Sequence, residues 1–162
     1  MAMANAATFG HVDMLKLLCS DPRSTPGASH NRAVRHAMAN QQLDAATYLI
    51  SDVRVDPNND GGDLARNLLC LAIDSDTPQD KTTIVGLLLD RGADPNCFNH
   101  EPLRLALGRS LFPVLDAIIR CPRTAMTRGE FYAVLAAIPG NAAHHGTLRE
   151  LMHSARFRHN FT

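Results

Sequence analysis

Five stretches of the chain repeat one arrangement of apolar and polar positions. They are Met14–Cys19, Ala45–Ile50, Ile84–Leu89, Val114–Ile119 and Leu148–Met152. Apolar side chains at i, i+1, i+4 and i+5 form a broad stripe along one side of a helix, so each stretch predicts a helix that buries that side. The starts lie 31, 39, 30 and 34 residues apart. A second, Ala-rich helical segment precedes each stripe: Asn31–Ala37, Asn67–Ala72, Glu101–Ala106 and Phe131–Ile138. In the first unit only the end of that segment is expected, as Ala6-Ala7. A small residue at a fixed place lets two helices approach closely, so each unit reads as a helix hairpin.

Turn formers separate the units. They run from Asp21-Pro22 to Pro26-Gly27, from Asp56-Pro57 to Gly61-Gly62, and from Gly92 to Asn96. Proline lacks an N–H and glycine tolerates positive φ, so helices stop there. Gly92 reads as a helix C-cap, and Pro102 suits a first helical turn. Thr77-Pro78-Gln79-Asp80 and Thr127-Arg128-Gly129-Glu130 have capping-box spacing. Only Val53–Val55 reads as extended, and it serves equally as half of a turn. A lone hairpin cannot offset an ordering cost of roughly 1.5 kcal/mol per residue. Stacked copies sharing their apolar faces can.

Composition narrows the function classes. Aromatic residues are 5% and Trp is absent, so the core must come from Leu, Ile, Val and Ala. Sixteen basic and sixteen acidic side chains leave no net charge, which argues against a nucleic-acid binder. No apolar run approaches the roughly 18 residues of a membrane span, and the start Met1-Ala2-Met3-Ala4-Asn5 lacks the features of a secretion signal. Cys19, Cys70, Cys97 and Cys121 form no C-x-x-C pair and read as reduced thiols of a cytoplasmic protein.

Chemistry-bearing motifs stay incomplete. Asp56 to Gly61 matches the opening of a calcium loop, but Asn67 stands where the bidentate Glu is needed and Asp63 where an apolar residue is. Cys97-Phe98-Asn99-His100 has no second ligand pair at zinc spacing. His144, His145, His153 and His159 have no Cys or acidic ligand at a coordinating distance along the chain. Phosphate loop and nucleophile elbow are both missing. The expectation is a protein without cofactor, metal or catalytic site.

The repeat resembles the ankyrin family, whose unit is about 33 residues. Leu87-Leu88-Leu89-Asp90-Arg91-Gly92-Ala93-Asp94-Pro95-Asn96 is similar to the family's LLLxxGADxN segment. Ala6-Ala7-Thr8-Phe9-Gly10-His11-Val12-Asp13-Met14-Leu15-Lys16-Leu17-Leu18 is similar to AAxxGHxxVVxLL, and Glu101–Ala106 to TPLHxA. Arg35, Cys70 and Arg104 replace the TPLH histidine, and about four extra residues fall within Asp74 to Thr83. The resemblance implies an all-α, ankyrin-type helix-turn-helix solenoid, a single array with repeats near 1–24, 25–60, 61–95, 96–126 and 127–162.

It also implies a non-catalytic protein–protein interaction module that presents turn tips and first-helix faces to a protein partner. Mapped onto this chain, those positions are Ser29, Asn31, Asn40, Asp63, Arg66, Asp74, Phe98, His100 and Arg109, with Phe98 as anchor. Residues 43–101 carry eleven acidic and four basic side chains, and residues 120–162 two acidic and six basic. The middle therefore suits a basic partner and the end an acidic one. The chain is expected to be a monomer that binds neither nucleic acid nor membrane. The alternative is a structural or self-associating segment of a larger protein, docking through a C-terminal helix with Leu148, Leu151, Met152 and Phe157 on one face.

Overall fold

A computed structural model describes residues 1–59, 67–75 and 81–136. They form the helices α1 (Ala2–Thr8), α2 (Val12–Ser20), α3 (Ala28–Ala39), α4 (Leu43–Ser51), α5 (Leu68–Asp74), α6 (Lys81–Asp90), α7 (Cys97–Gly108), α8 (Phe112–Arg120) and α9 (Arg128–Ala136). Among the described residues there is no strand, and all their regular structure is helical. Val53–Val55 is turn: the Val55 amide donates to the Asp52 carbonyl. The stretch at Leu148–Met152 and the capping box at Thr77–Asp80 lie outside the described residues.

The four described stripes fall in α2, α4, α6 and α8. Their second and sixth positions are buried throughout: Leu15 and Cys19, Ala46 and Ile50, Val85 and Leu89, Leu115 and Ile119. First positions vary. Ala45 and Val114 are buried, whereas Met14 is 50% exposed and Leu17, three residues on, 67% exposed. The first helix also exceeds expectation. It starts at Ala2 rather than ending as the short Ala6-Ala7 piece, because Ala2, Met3 and Ala4 are good helix formers.

The chain divides into two compact units, Met1–Ala93 and Asp94–Thr162. In the first, α1 packs on α2, α3 on α4 and α5 on α6. Between these pairs, α1 packs on α3 and α3 on α5, while α2 packs on α4 and α4 on α6. In the second unit α7 packs on α8 and on α9. Each unit keeps buried alanines where helices meet, Ala33, Ala37 and Ala72 in the first and Ala106 in the second.

The connection inside a hairpin is the same three times. Gly10, Gln41 and Ser110 take positive φ of 69°, 59° and 57°. In each case that residue's amide donates to the carbonyl three back, and the next amide to the carbonyl five back: His11 to Ala6, Gln42 to Ala37, Leu111 to Ala106. This closes the helix with a left-handed residue and satisfies carbonyls that would otherwise be orphaned. Gly92, at φ 94°, ends α6 in the same way, with Ala93 donating to Leu88. The expected C-cap is therefore present. At the end of α5, Lys81 Nζ reaches back to the Ile73 carbonyl at 3.0 Å and also bonds the Ser75 carbonyl. α9 opens with the expected capping box: the Glu130 amide donates to Thr127 Oγ1 at 3.2 Å and the Thr127 amide to Glu130 Oε2 at 2.6 Å. The Thr127 amide and hydroxyl, both donating to Glu130 Oε2, hold that carboxyl below its usual range.

Candidate functional site

Two tips share an unusual backbone. Ser29, His30 and Asn31 have φ of 51°, 58° and 58°, and Phe98, Asn99 and His100 have 51°, 56° and 60°. Left-handed geometry costs an L-residue roughly 1–2 kcal/mol, so three in succession persist only because neighbours impose them. In both tips the first two residues are exposed and the third turns inward, Asn31 at 0% exposure and His100 at 9%. Asn31 Nδ2 donates to the Asp56 carbonyl at 2.5 Å. His30 Nδ1 bonds Asn59 Oδ1 at 2.8 Å, and Arg35 Nε donates to the His30 carbonyl at 2.8 Å. After each tip a right-handed helix begins, at Arg32 and at Glu101. Pro102 thus occupies a first turn, where its missing N–H is harmless.

Behind the tips the turns grip one another. Arg54 holds the Asp52 carboxylate through Nε at 2.9 Å and Nη2 at 2.6 Å. It also donates to the carbonyls of Cys19 at 2.9 Å and Ser24 at 3.1 Å, one turn earlier. Arg91 Nη2 donates in turn to the Asp52 carbonyl at 3.0 Å. A second set of contacts recurs at matching positions. Asn58 Nδ2 donates to the Gly92 carbonyl at 2.9 Å, and Asn96 Nδ2 to the Arg123 carbonyl at 2.7 Å. Gly27 occupies the corresponding place in the earlier turn. A Cβ there would meet the Arg54 carbonyl oxygen at 2.6 Å.

The electrostatics follow from these contacts. The Arg54 guanidinium, bonded to Asp52, holds that carboxyl below the usual carboxylate range. Arg23 does the same for Asp21. Burial pushes the Cys19 thiol up, with Asp52 adding to the effect. That disfavours the reactive thiolate. Asp56, the first residue of the calcium-like stretch, accepts the Asn58 amide within its own turn at 2.9 Å.

The residues named from the sequence scatter over these elements. Ser29 and Phe98 stand exposed on the tips, Phe98 at 50%. Asn31 and His100 are buried beneath them. Asn40 caps the C-terminus of α3, its Nδ2 donating to the His36 carbonyl at 2.8 Å, and Arg109 caps α7. Asp74 is half-buried at the end of α5. Asp63 and Arg66 lie outside the described residues. Ser29 and Asn40 are separated by the right-handed part of α3, about 12 Å long at the usual helical rise. The tips and the helix ends are therefore separate surfaces. Arg54 and Arg91 were not singled out from the sequence. The recurrence of Asp21-Pro22-Arg23 as Asp52-Val53-Arg54 was the available signal for Arg54.

Among the described residues no three His, Cys, Asp or Glu side chains converge as a metal site. Among them, too, no helix is long and apolar enough to cross a membrane. No protein-family model matches the chain, and no curated protein matches it either.

Proposed function

We propose that the chain is an ankyrin-type array acting as a non-catalytic protein–protein interaction module of the cytoplasm. One observation carries the reading: within Met1–Ala93, equivalent helices of successive hairpins pack on each other, α1 on α3 on α5 and α2 on α4 on α6. Such stacking consumes the inner faces and the turn backbones, leaving the tips free for a partner. The exposed Ser29 and Phe98, held by a costly backbone, are where contact energy concentrates. The acidic middle, with Asp63, Arg66 and Asp74, takes a basic surface of that partner.

Affinity capture from cytosolic extract tests this, comparing the wild-type chain with Ser29→Arg, Phe98→Ala and the pair Asp63→Arg with Asp74→Arg. The expectation is a discrete captured protein that is lost with the tip variants, while their helical circular dichroism stays unchanged. Capture indifferent to all the substitutions, or turnover of a substrate abolished by one of them, would overturn the reading.

A further inference from the structure

A cleft of 480 Å³ opens in the first unit, between the first turn of α1, the turn at residues 23–26 and the start of α3. Its size falls within the range of ligand sites. Two arginines, Arg23 and Arg32, line it together with Ser24, Thr25 and Ser29; Asp21 pairs with Arg23, but no acidic residue is among those lining the cleft. The donors have capacity to spare. Arg23 commits Nε and Nη2 to Asp21, which leaves three of a guanidinium's five N–H groups. Arg32 donates Nε to His36 Nε2 at 3.4 Å and makes no other hydrogen bond among the described residues. Ser24 Oγ, on the same turn as Arg23, is buried without a hydrogen-bond partner. The strained Ser29 forms part of the rim. Met1, Met3 and Pro26 add apolar surface beside these donors.

We infer that this cleft binds a short acidic segment of a protein partner, with a carboxylate side chain between Arg23 and Arg32 and an apolar neighbour against the methionines. The inference rests on the interaction-module reading and assigns a charge to one part of the partner. It also separates two surfaces, an acid-seeking cleft in the first unit and the acidic residues from 43 onward.

The test is fluorescence anisotropy on the full chain at low salt with two fluorescein-labelled hexapeptide pools. One pool alternates Glu or Asp with Leu, the other Lys with Leu. The acidic pool should bind and the basic pool should not bind this cleft. Arg32→Glu should weaken acidic binding by about tenfold, since one charged hydrogen bond contributes about that factor. Arg32→Gln should fall between, and Arg104→Glu, in the second unit, should change nothing. Raised salt should weaken the complex. Inorganic phosphate and free glutamate are the competing arms. If millimolar amounts of either displace the peptide fully, the cleft is an anion site and the peptide assignment falls. No binding of the acidic pool, an Arg32→Glu chain that binds it normally, or binding of the basic pool that Arg32→Glu weakens equally would each overturn it. If the cleft fails while Phe98→Ala still abolishes partner capture, the module reading stands without this inference.

Discussion

Gly27→Ala tests the contact between successive turns. The backbone at Gly27 has φ −82° and ψ 2°, which alanine adopts freely, so conformation alone favours the substitution. Fewer unfolded conformations should stabilise the chain by about 0.4–1 kcal/mol. Contact works the other way. The added Cβ would sit 2.6 Å from the Arg54 carbonyl oxygen, against the roughly 3.3 Å at which carbon and carbonyl oxygen ordinarily meet. That oxygen belongs to a turn with little freedom: the Arg54 amide and side chain bond Asp52, and its Nη1 bonds the Ser24 carbonyl. Overpacking of this kind costs about 1–3 kcal/mol. The clash wins, and Gly27→Ala should destabilise by about 1–2 kcal/mol. Gly86 is the internal control. It lies in the interior of α6 with nothing within 4 Å of a built Cβ, so Gly86→Ala should stabilise by roughly 0.5–1 kcal/mol. Urea unfolding followed by circular dichroism at 222 nm reads both. A Gly27→Ala chain at least as stable as wild type would refute the turn-on-turn contact.

Leu88→Ala should cost about 2–5 kcal/mol, because Leu88 is fully buried between α6 and its neighbours; an unchanged urea midpoint would exclude it from the core. Asp52 has its carboxyl held low by Arg54, so the stability it adds is present above its unfolded value near 3.9 and is lost as pH falls through the lower folded value. Asp52→Asn should therefore be less stable than wild type at pH 6, with the gap closing towards pH 3 in urea midpoints taken across that interval. Of the four thiols, Cys97 is half-buried while Cys19, Cys70 and Cys121 are buried. One thiol should react quickly with a maleimide in the native chain and three only in urea, as mass spectrometry of the labelled peptides would show.

Periodicity along the chain was enough to locate the stripe helices α2, α4, α6 and α8, because the spacing of apolar residues is a property of one helix. The Thr127–Glu130 cap and the Gly92 stop were equally readable, each being written within four to six neighbouring residues. The tips were not. Nothing local forces left-handed backbone on Ser29-His30-Asn31 or Phe98-Asn99-His100: none of the six is glycine, although Asn and His tolerate positive φ better than most residues. That conformation is imposed by distant bonds such as Asn31 to the Asp56 carbonyl. For the same reason Asn31 and His100, placed on the surface by sequence mapping, are buried. The Arg54 clamp joins residues 30 and 35 positions apart, and the cleft beside Arg32 exists only once the α1 and α3 hairpins are packed. Local chemistry chose the helices and their ends. The packing of one hairpin on the next chose which polar side chains became pegs, which became clamps, and which were left facing a cleft.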